Sequence, residues 1–302
     1  MDLLSFYIRS YRCLYNRRFL HGRIMSPFRY FVREFAAIHL EYHFLHFKRK
    51  RPKEQVPIIV SLTSFPARIP YVWMTIECML RQTYQPKKII LWLSKEQFSN
   101  KEKLPTSLTK LEDSFFEIRF VDEDIRSHKK YQYVACQYPD DYIFFIDDDL
   151  FYNSTILEET WEEHLLHPDA VISNYGYRIN YDENGKIRPY MTWKQLFEPA
   201  SGKDIFVGSG GGTMVKPSLL YKDLTNLKLA LELCPTADDV WLNCMIQINK
   251  LEVYILKNGL IMPLRIPHNP RLSVVNQDNN MNDVQIQNCI EHYKDIKVFQ
   301  AM

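Results

Sequence analysis

Residues 142–152 read YIFFIDDDLFY, and the fold turns on this stretch. Tyr142 to Ile146 are apolar with no polar alternation, which marks a strand covered on both faces rather than one with a wet side. The run then meets Asp147, Asp148 and Asp149. A buried carboxylate without a partner is costly, and neighbouring carboxylates repel one another. A positive charge is therefore expected where this strand ends.

The flanking sequence says what kind of sheet the strand joins. PIIVSLTSF (57–65), KKIILWLS (87–94) and FEIRFVD (116–122) read as further strands. YVWMTIECMLRQT (71–83) and KKYQYVACQYP (129–139) read as helices between them. This alternation predicts an α/β fold with a mostly parallel central sheet flanked by helices. Ligands of such sheets bind at the carboxyl ends of the strands, where the acidic triplet lies. Downstream come a strand (169–179), a polar loop NYDENGKIRPY (180–190), a strand–glycine loop–strand unit DIFVGSGGGTMVKP (204–217) and a helix opening on TADDVWL (236–242). A strand-like EVYILKNG (252–259) and a polar stretch IPHNPRLSVVNQDNNMND (266–283) follow.

Composition bounds the rest. The 302 residues, 46% of them hydrophobic, suffice for a large core. The net charge of +2 hides an asymmetry: residues 1–53 carry about +9, which leaves about −7 for the remainder. The chain is accordingly expected to divide into a basic helical extension (1–53) and a main domain (54–302). In the extension, Phe28, Phe31, Phe35, Ile38 and Tyr42 recur at spacings of three and four after Ser26-Pro27, a helix start with one apolar face. A basic amphipathic stretch of this kind can lie on an anionic membrane surface, or pack on the body or on another subunit as a homo-oligomer contact. No nucleic-acid motif accompanies the charge, so no nucleic-acid partner is expected. The six cysteines include no CxxC pair and read as free thiols. With neither an uninterrupted apolar run of membrane-spanning length nor a signal peptide, the expected location is cytoplasmic, at most against the inner face of the membrane.

Four features carry chemistry. In extended backbone, Asp147 and Asp149 share a face and Asp148 faces away. Two hard oxygen ligands at a strand end suit Mg²⁺ or Mn²⁺. Gly208 to Gly212 hold four of the nine glycines, and glycine allows close approach of backbone to a ligand. The pattern is neither a P-loop nor a dinucleotide fingerprint. Asp238 and Asp239 open a helix, where carboxylates serve as dipole partners or as a positioned base. His268 stands between prolines in the polar stretch.

In this order the acidic triplet, the glycine loop, the Ala-Asp-Asp at a helix start and the late Pro-His-Asn resemble the motifs of nucleotide-sugar-dependent glycosyltransferases of the GT-A fold. SLTSFPARI and HKKYQYV are similar to a bacterial branch associated with capsule and lipopolysaccharide synthesis. The resemblance spans about residues 56–275. It implies a nucleoside-diphosphate sugar donor, with UDP foremost, and a saccharide or lipid-linked saccharide acceptor. It further implies Asp147, Asp149 and His268 at the metal, and Thr63, Arg68, Lys130, Asp147 and Asp148 at the nucleotide. Gly210, Gly211, Gly212 and Asp238 would lie near the sugars, and Asp239 would be the base of an inverting transfer. Independently of the resemblance, the aromatic and polar residues from Tyr175 to Trp193 read as a sugar-facing platform. The departure is Asp238, where glutamate is usual; the shorter side chain leaves its acceptor contact open. The alternatives are a sugar nucleotidyltransferase or another nucleotide-using enzyme, a glycoside hydrolase with paired carboxylates, and a membrane-docked assembly protein without catalysis.

Overall fold

Alternate side chains of the YIFFI strand go to opposite sides of one sheet. In the computed structural model, which describes residues 2–14, 26–256, 264–267, 280–296 and 298–300, Ile143 and Phe145 join one apolar cluster and Phe144 and Ile146 the other. All four are fully buried.

The strands are β1 (Glu54–Thr63), β2 (Tyr84–Ser94), β3 (Phe116–Val121), β4 (Tyr142–Ile146), β5 (Leu150–Phe151), β6 (Val171–Ser173), β7 (Gly176–Arg178), β8 (Lys194–Gln195), β9 (Ala200–Gly202), β10 (Ile205–Val207), β11 (Gly211–Val215), β12 (Val253–Ile255) and β13 (Leu264–Arg265). The helices are α1 (Leu3–Cys13), α2 (Ser26–His46), α3 (Val72–Leu80), α4 (Thr106–Thr109), α5 (Lys129–Gln137), α6 (Ile156–Leu166), α7 (Leu227–Leu233), α8 (Asp238–Ile248) and α9 (Met281–His292).

Among the described residues the main sheet has eight strands in the order β3-β2-β1-β4-β11-β6-β12-β9. The half built first in sequence, β3 to β4, is parallel throughout. β11 then runs antiparallel to both β4 and β6. This reversal positions the site, because the start of β11 lies against the end of β4, with Gly211 opposite Ile146. A three-stranded sheet β10-β7-β8 and a two-stranded pair β13-β5 stand apart. α1, α2 and α3 contribute to the core on one side of the main sheet, and α5, α8 and α9 to the core on the other.

The amino-terminal helices form as the sequence predicts, but α2 is oriented differently from what its apolar spacing suggests. Ala36, Ala37, Leu40 and Phe44 are the buried residues facing the body, while Phe28, Phe31, Phe35, Ile38 and Tyr42 are exposed. Asp2 caps α1 by accepting from the Ser5 amide at 2.8 Å. No described helix is long and apolar enough to cross a membrane.

Truncating a fully buried aromatic removes its transfer free energy and leaves a cavity. Phe144→Ala is expected to lower unfolding free energy by roughly 3–5 kcal/mol, measured by denaturant titration. A loss below 1 kcal/mol would show that β4 is not central to the core.

Candidate functional site

β4 stops at Ile146, and the triplet turns into β5 within three residues. Because the backbone is no longer extended, the carboxylates do not sort by strand alternation. Asp148 and Asp149, expected on opposite faces, instead share Arg68. Its guanidinium lies 2.6 Å from Asp148 Oδ1 and 3.2 Å from Asp149 Oδ2. Asp147 turns away to the Lys130 ammonium at 3.3 Å.

Each cation arrives from a different segment. Arg68 follows β1, and beside it the Ser64 hydroxyl donates to Asp148 Oδ2 at 2.6 Å. Arg265 on β13 reaches Asp149 Oδ2 at 2.8 Å, and the Ile266 amide donates to the Asp149 carbonyl. Lys130 comes from the first turn of α5 and also pairs with Asp238 Oδ2 at 2.8 Å. Asp148, Asp149, Arg68 and Lys130 are buried, so these pairs are little screened by solvent. Thr75 donates to the carbonyls of Asp148 and Leu150 and holds the turn.

The glycine loop closes the other side. A Cβ at Gly210 would sit 2.0 Å from the Asp147 carboxylate, and one at Gly211 would sit 2.3 Å from Tyr175 Cβ. Gly212 adopts φ +97°, the left-handed region that glycine tolerates. The Tyr152 hydroxyl accepts from the Asp147 amide at 2.8 Å and donates to the Gly210 carbonyl, tying triplet to loop.

α8 brings in the second acidic pair. The Ser209 amide donates to Asp239 Oδ1 at 3.0 Å, and the Ser209 hydroxyl donates to the same oxygen. Asn243, one turn along α8, bonds both backbone groups of Val207 at 2.8 Å. α8 is thus tied to the glycine loop through the Asp239 carboxylate and to the strand before it through Asn243. Asp238 points instead to Lys130.

This environment separates the acidities. Burial and the neighbouring Asp238 push Asp239 up to about 6. Burial likewise raises Asp149 to about 6, with Arg68 and Arg265 limiting the rise. Burial opposes ionisation of Asp238 too, but Lys130 and His128 outweigh it and hold the group below the usual carboxylate range. Burial works against the charge of Lys130, yet Asp238 and Asp147 raise it above the usual ammonium range. Two adjacent carboxylates of one helix start are therefore driven apart, one held as a paired anion and the other shifted up to about 6, the pattern expected of an acid–base site.

The donors that the described residues would offer a divalent cation are carboxylate oxygens. Asp149 Oδ1 is buried and has no hydrogen-bond partner, and the Asp147 side chain is 42% exposed. Asp147, Asp148, Asp149, Asp238 and Asp239 exceed the positive charges of Arg68, Arg265 and Lys130 by two. No group of three or more His, Cys, Asp or Glu is gathered in metal-holding geometry among the described residues. His268, expected as a further ligand, lies outside them.

Two other expected residues are engaged elsewhere. The Thr63 hydroxyl, at the end of β1, donates to the Trp92 carbonyl at 2.8 Å. Trp193 is buried, donating from Nε1 to the Arg188 carbonyl and packed on Tyr190 and Phe206, so the cluster does not include it. The tyrosines nearer the loop are Tyr175 and Tyr177, whose hydroxyls are 2.5 Å apart. Sequence reading missed Ser64, Ser209 and Arg265. Ser209 lay within the quoted glycine loop, whereas nothing local marks Arg265, which meets a carboxylate 116 positions away.

No protein-family model matches the chain, and no curated protein is similar to it in sequence. Among solved structures, apo UDP-glucose pyrophosphorylase aligns over 81% of this chain and 99% of its own, at 11% identity and a TM-score of 0.38. UDP-glucose pyrophosphorylase complexed with UDP-glucose aligns over 81% and 100%, at 10% identity and a TM-score of 0.36. Neither likeness is strong enough to bear on chemistry.

A carboxyl whose folded value is raised binds its proton more tightly in the folded chain. For Asp239 that stabilisation is complete below the ordinary 3.8 and is lost as pH rises through about 6. Asp239→Asn keeps an acceptor for Ser209 and removes the buried charge. It is expected to melt a few degrees above the parent at pH 7.5, with the gap closing towards pH 4 in differential scanning fluorimetry. A gap independent of pH would contradict the raised value.

Proposed function

We propose that the chain is a glycosyltransferase that moves a sugar from a nucleoside-diphosphate sugar, with UDP foremost, to a hydroxyl of a saccharide or lipid-linked saccharide. The observation that carries this reading is that one glycine loop touches both Asp147 and Asp239. The glycine loop touches the triplet through one residue and holds the helix-start carboxylate through its neighbour. A donor diphosphate at the triplet and an acceptor hydroxyl at Asp239 would then be separated only by the thickness of that loop.

In this reading Arg68 and Arg265 aim the Asp149 carboxylate, and Lys130 aims those of Asp147 and Asp238. Asp147 and Asp149 would hold Mg²⁺ or Mn²⁺, with His268 as a further ligand. The bound ion supplies Lewis acidity to the departing diphosphate. Asp239, pinned by Ser209, takes the proton of the acceptor hydroxyl as its oxygen attacks the anomeric carbon. A base on the far side of the sugar from the leaving group gives inversion. The raised value of Asp239 suits this role, because a base near the working pH transfers protons most effectively.

A sugar nucleotidyltransferase would use the same carboxylates and metal but would take a sugar phosphate and a nucleoside triphosphate. The products separate the two: a transferase releases nucleoside diphosphate, a nucleotidyltransferase pyrophosphate. Calorimetry with UDP, GDP and CMP, each with and without Mn²⁺, is expected to show one diphosphate binding only with metal. Asp149→Ala should abolish that binding. Asp239→Asn should keep it while turnover falls roughly 10²–10⁴-fold, and parental kcat/KM should rise with pH through about 6. Pyrophosphate release from a sugar phosphate and UTP would replace this reading with the nucleotidyltransferase one. No nucleotide binding under any condition would remove both.

A further inference from the structure

The uncovered face of α2 has a definite period. Phe28, Phe31, Phe35, Ile38, Tyr42 and Leu45 follow one another at steps of three, four, three, four and three, and each is between 48% and 69% exposed. A helix packed on a globular body uses a broader stripe; strict alternation of three and four is the seam of a two-stranded coiled coil. The body already has its own face of this helix in Ala36, Ala37, Leu40 and Phe44, all buried. At about 100° per residue, that face lies on the opposite side from the stripe. α2 thus carries two apolar faces, and among the described residues one is buried against the body while the other, touched by Tyr7 at Phe35, is largely exposed.

The residues flanking the stripe say what would cover the other. With Phe28, Phe35 and Tyr42 at the first seam position of each heptad, Glu34 and Glu41 line one edge, and His39 and His46 the other. In a parallel pair, each residue on the first edge faces the residue five places on along the partner's second edge. Glu34 of one copy then meets His39 of the other, and Glu41 meets His46. An imidazole N–H, charged or neutral, donates to a carboxylate. An antiparallel pair would set acid beside acid. An anionic lipid surface would meet Glu41, and Glu34 in its pair with Arg33, on that edge. His39 is exposed, and its ring is steadied by the Tyr7 hydroxyl at 2.7 Å from Nδ1. Burying half or more of six such side chains on each of two copies removes on the order of 1,000 Å² from water, enough for a specific interface.

We propose that α2 pairs in parallel with α2 of a second copy of this chain, making a two-fold dimer through the 28–45 stripe. The inference does not depend on the proposed chemistry, since no residue of the stripe belongs to the site.

Sedimentation velocity of the full chain at micromolar concentration is expected to give twice the 36.1 kDa chain mass. The double substitution Phe35→Glu, Ile38→Glu, at two exposed positions, is expected to give monomer with an unchanged far-ultraviolet circular dichroism spectrum. It should also respond to nucleotide as the parent does. Orientation is read separately: in a parallel in-register seam Ile38 meets its own copy. Ile38→Cys treated with oxidised glutathione should therefore yield a 38–38 disulfide, mapped by mass spectrometry. A dimer that survives the double substitution, or one in which residue 38 does not cross-link to itself, overturns the proposal. So does a monomer at every concentration, and one that floats with phosphatidylserine vesicles unless Phe35→Glu is present assigns the stripe to a membrane instead.

Discussion

Every part of this site depends on how five carboxylates are kept together in a largely buried place. Arg68, Lys130 and Arg265 do it, each delivered by a separate stretch of chain: the loop after β1, the start of α5 and the short strand β13. Taking Arg68 or Lys130 away would strip buried Asp148 or Asp238 of its paired cation, a change that typically costs several kcal/mol. The pairs therefore specify the arrangement of loops as much as they stabilise it. They also answer the question posed by the acidic triplet, because most of its compensation comes from the protein itself. Counted as anions, the five carboxylates of the cluster outnumber its three cations by two.

The second constraint is steric. Gly210 lies so close to Asp147 that no side chain fits between them, and the next residue back, Ser209, fixes Asp239. One short loop consequently sets the distance between the triplet and the carboxylate at the α8 start. The reversal of direction at β11 makes this possible. It sets the loop before β11 beside the end of β4, with Gly211 opposite Ile146. Asn243 completes the coupling by locking the strand before the loop to the helix.

The amino-terminal helices follow a different logic. They add Leu4, Ile8, Leu40 and Phe44 to the core beneath the sheet, and Arg49 and Arg81 both pair with the buried Glu77 at 2.9 and 2.8 Å. The extension is thus packed onto the main domain through one face of α2. The other face is apolar too and, among the described residues, stands exposed.

The sequence by itself determined the sheet, its burial on both faces and the segments that carry the chemistry. Those properties are local: a run such as YIFFI buries both faces wherever it is placed, and a glycine cluster or a carboxylate at a helix start keeps its conformational meaning in any fold. It could equally well announce an apolar stripe on α2. What only the tertiary structure decided is which of these features touch. Strand alternation failed for Asp147, Asp148 and Asp149 because the strand ends one residue earlier, and a turn replaces the period of two with whatever contacts the neighbours impose. Arg265 gave no signal because its meaning lies in a carboxylate far away in sequence, brought near by β13 pairing with β5. Trp193 had the composition of a sugar platform but was drawn into the aromatic cluster of a separate small sheet. The side of α2 that meets the body was likewise beyond the sequence, since two apolar faces on one helix are equivalent until a neighbour chooses between them.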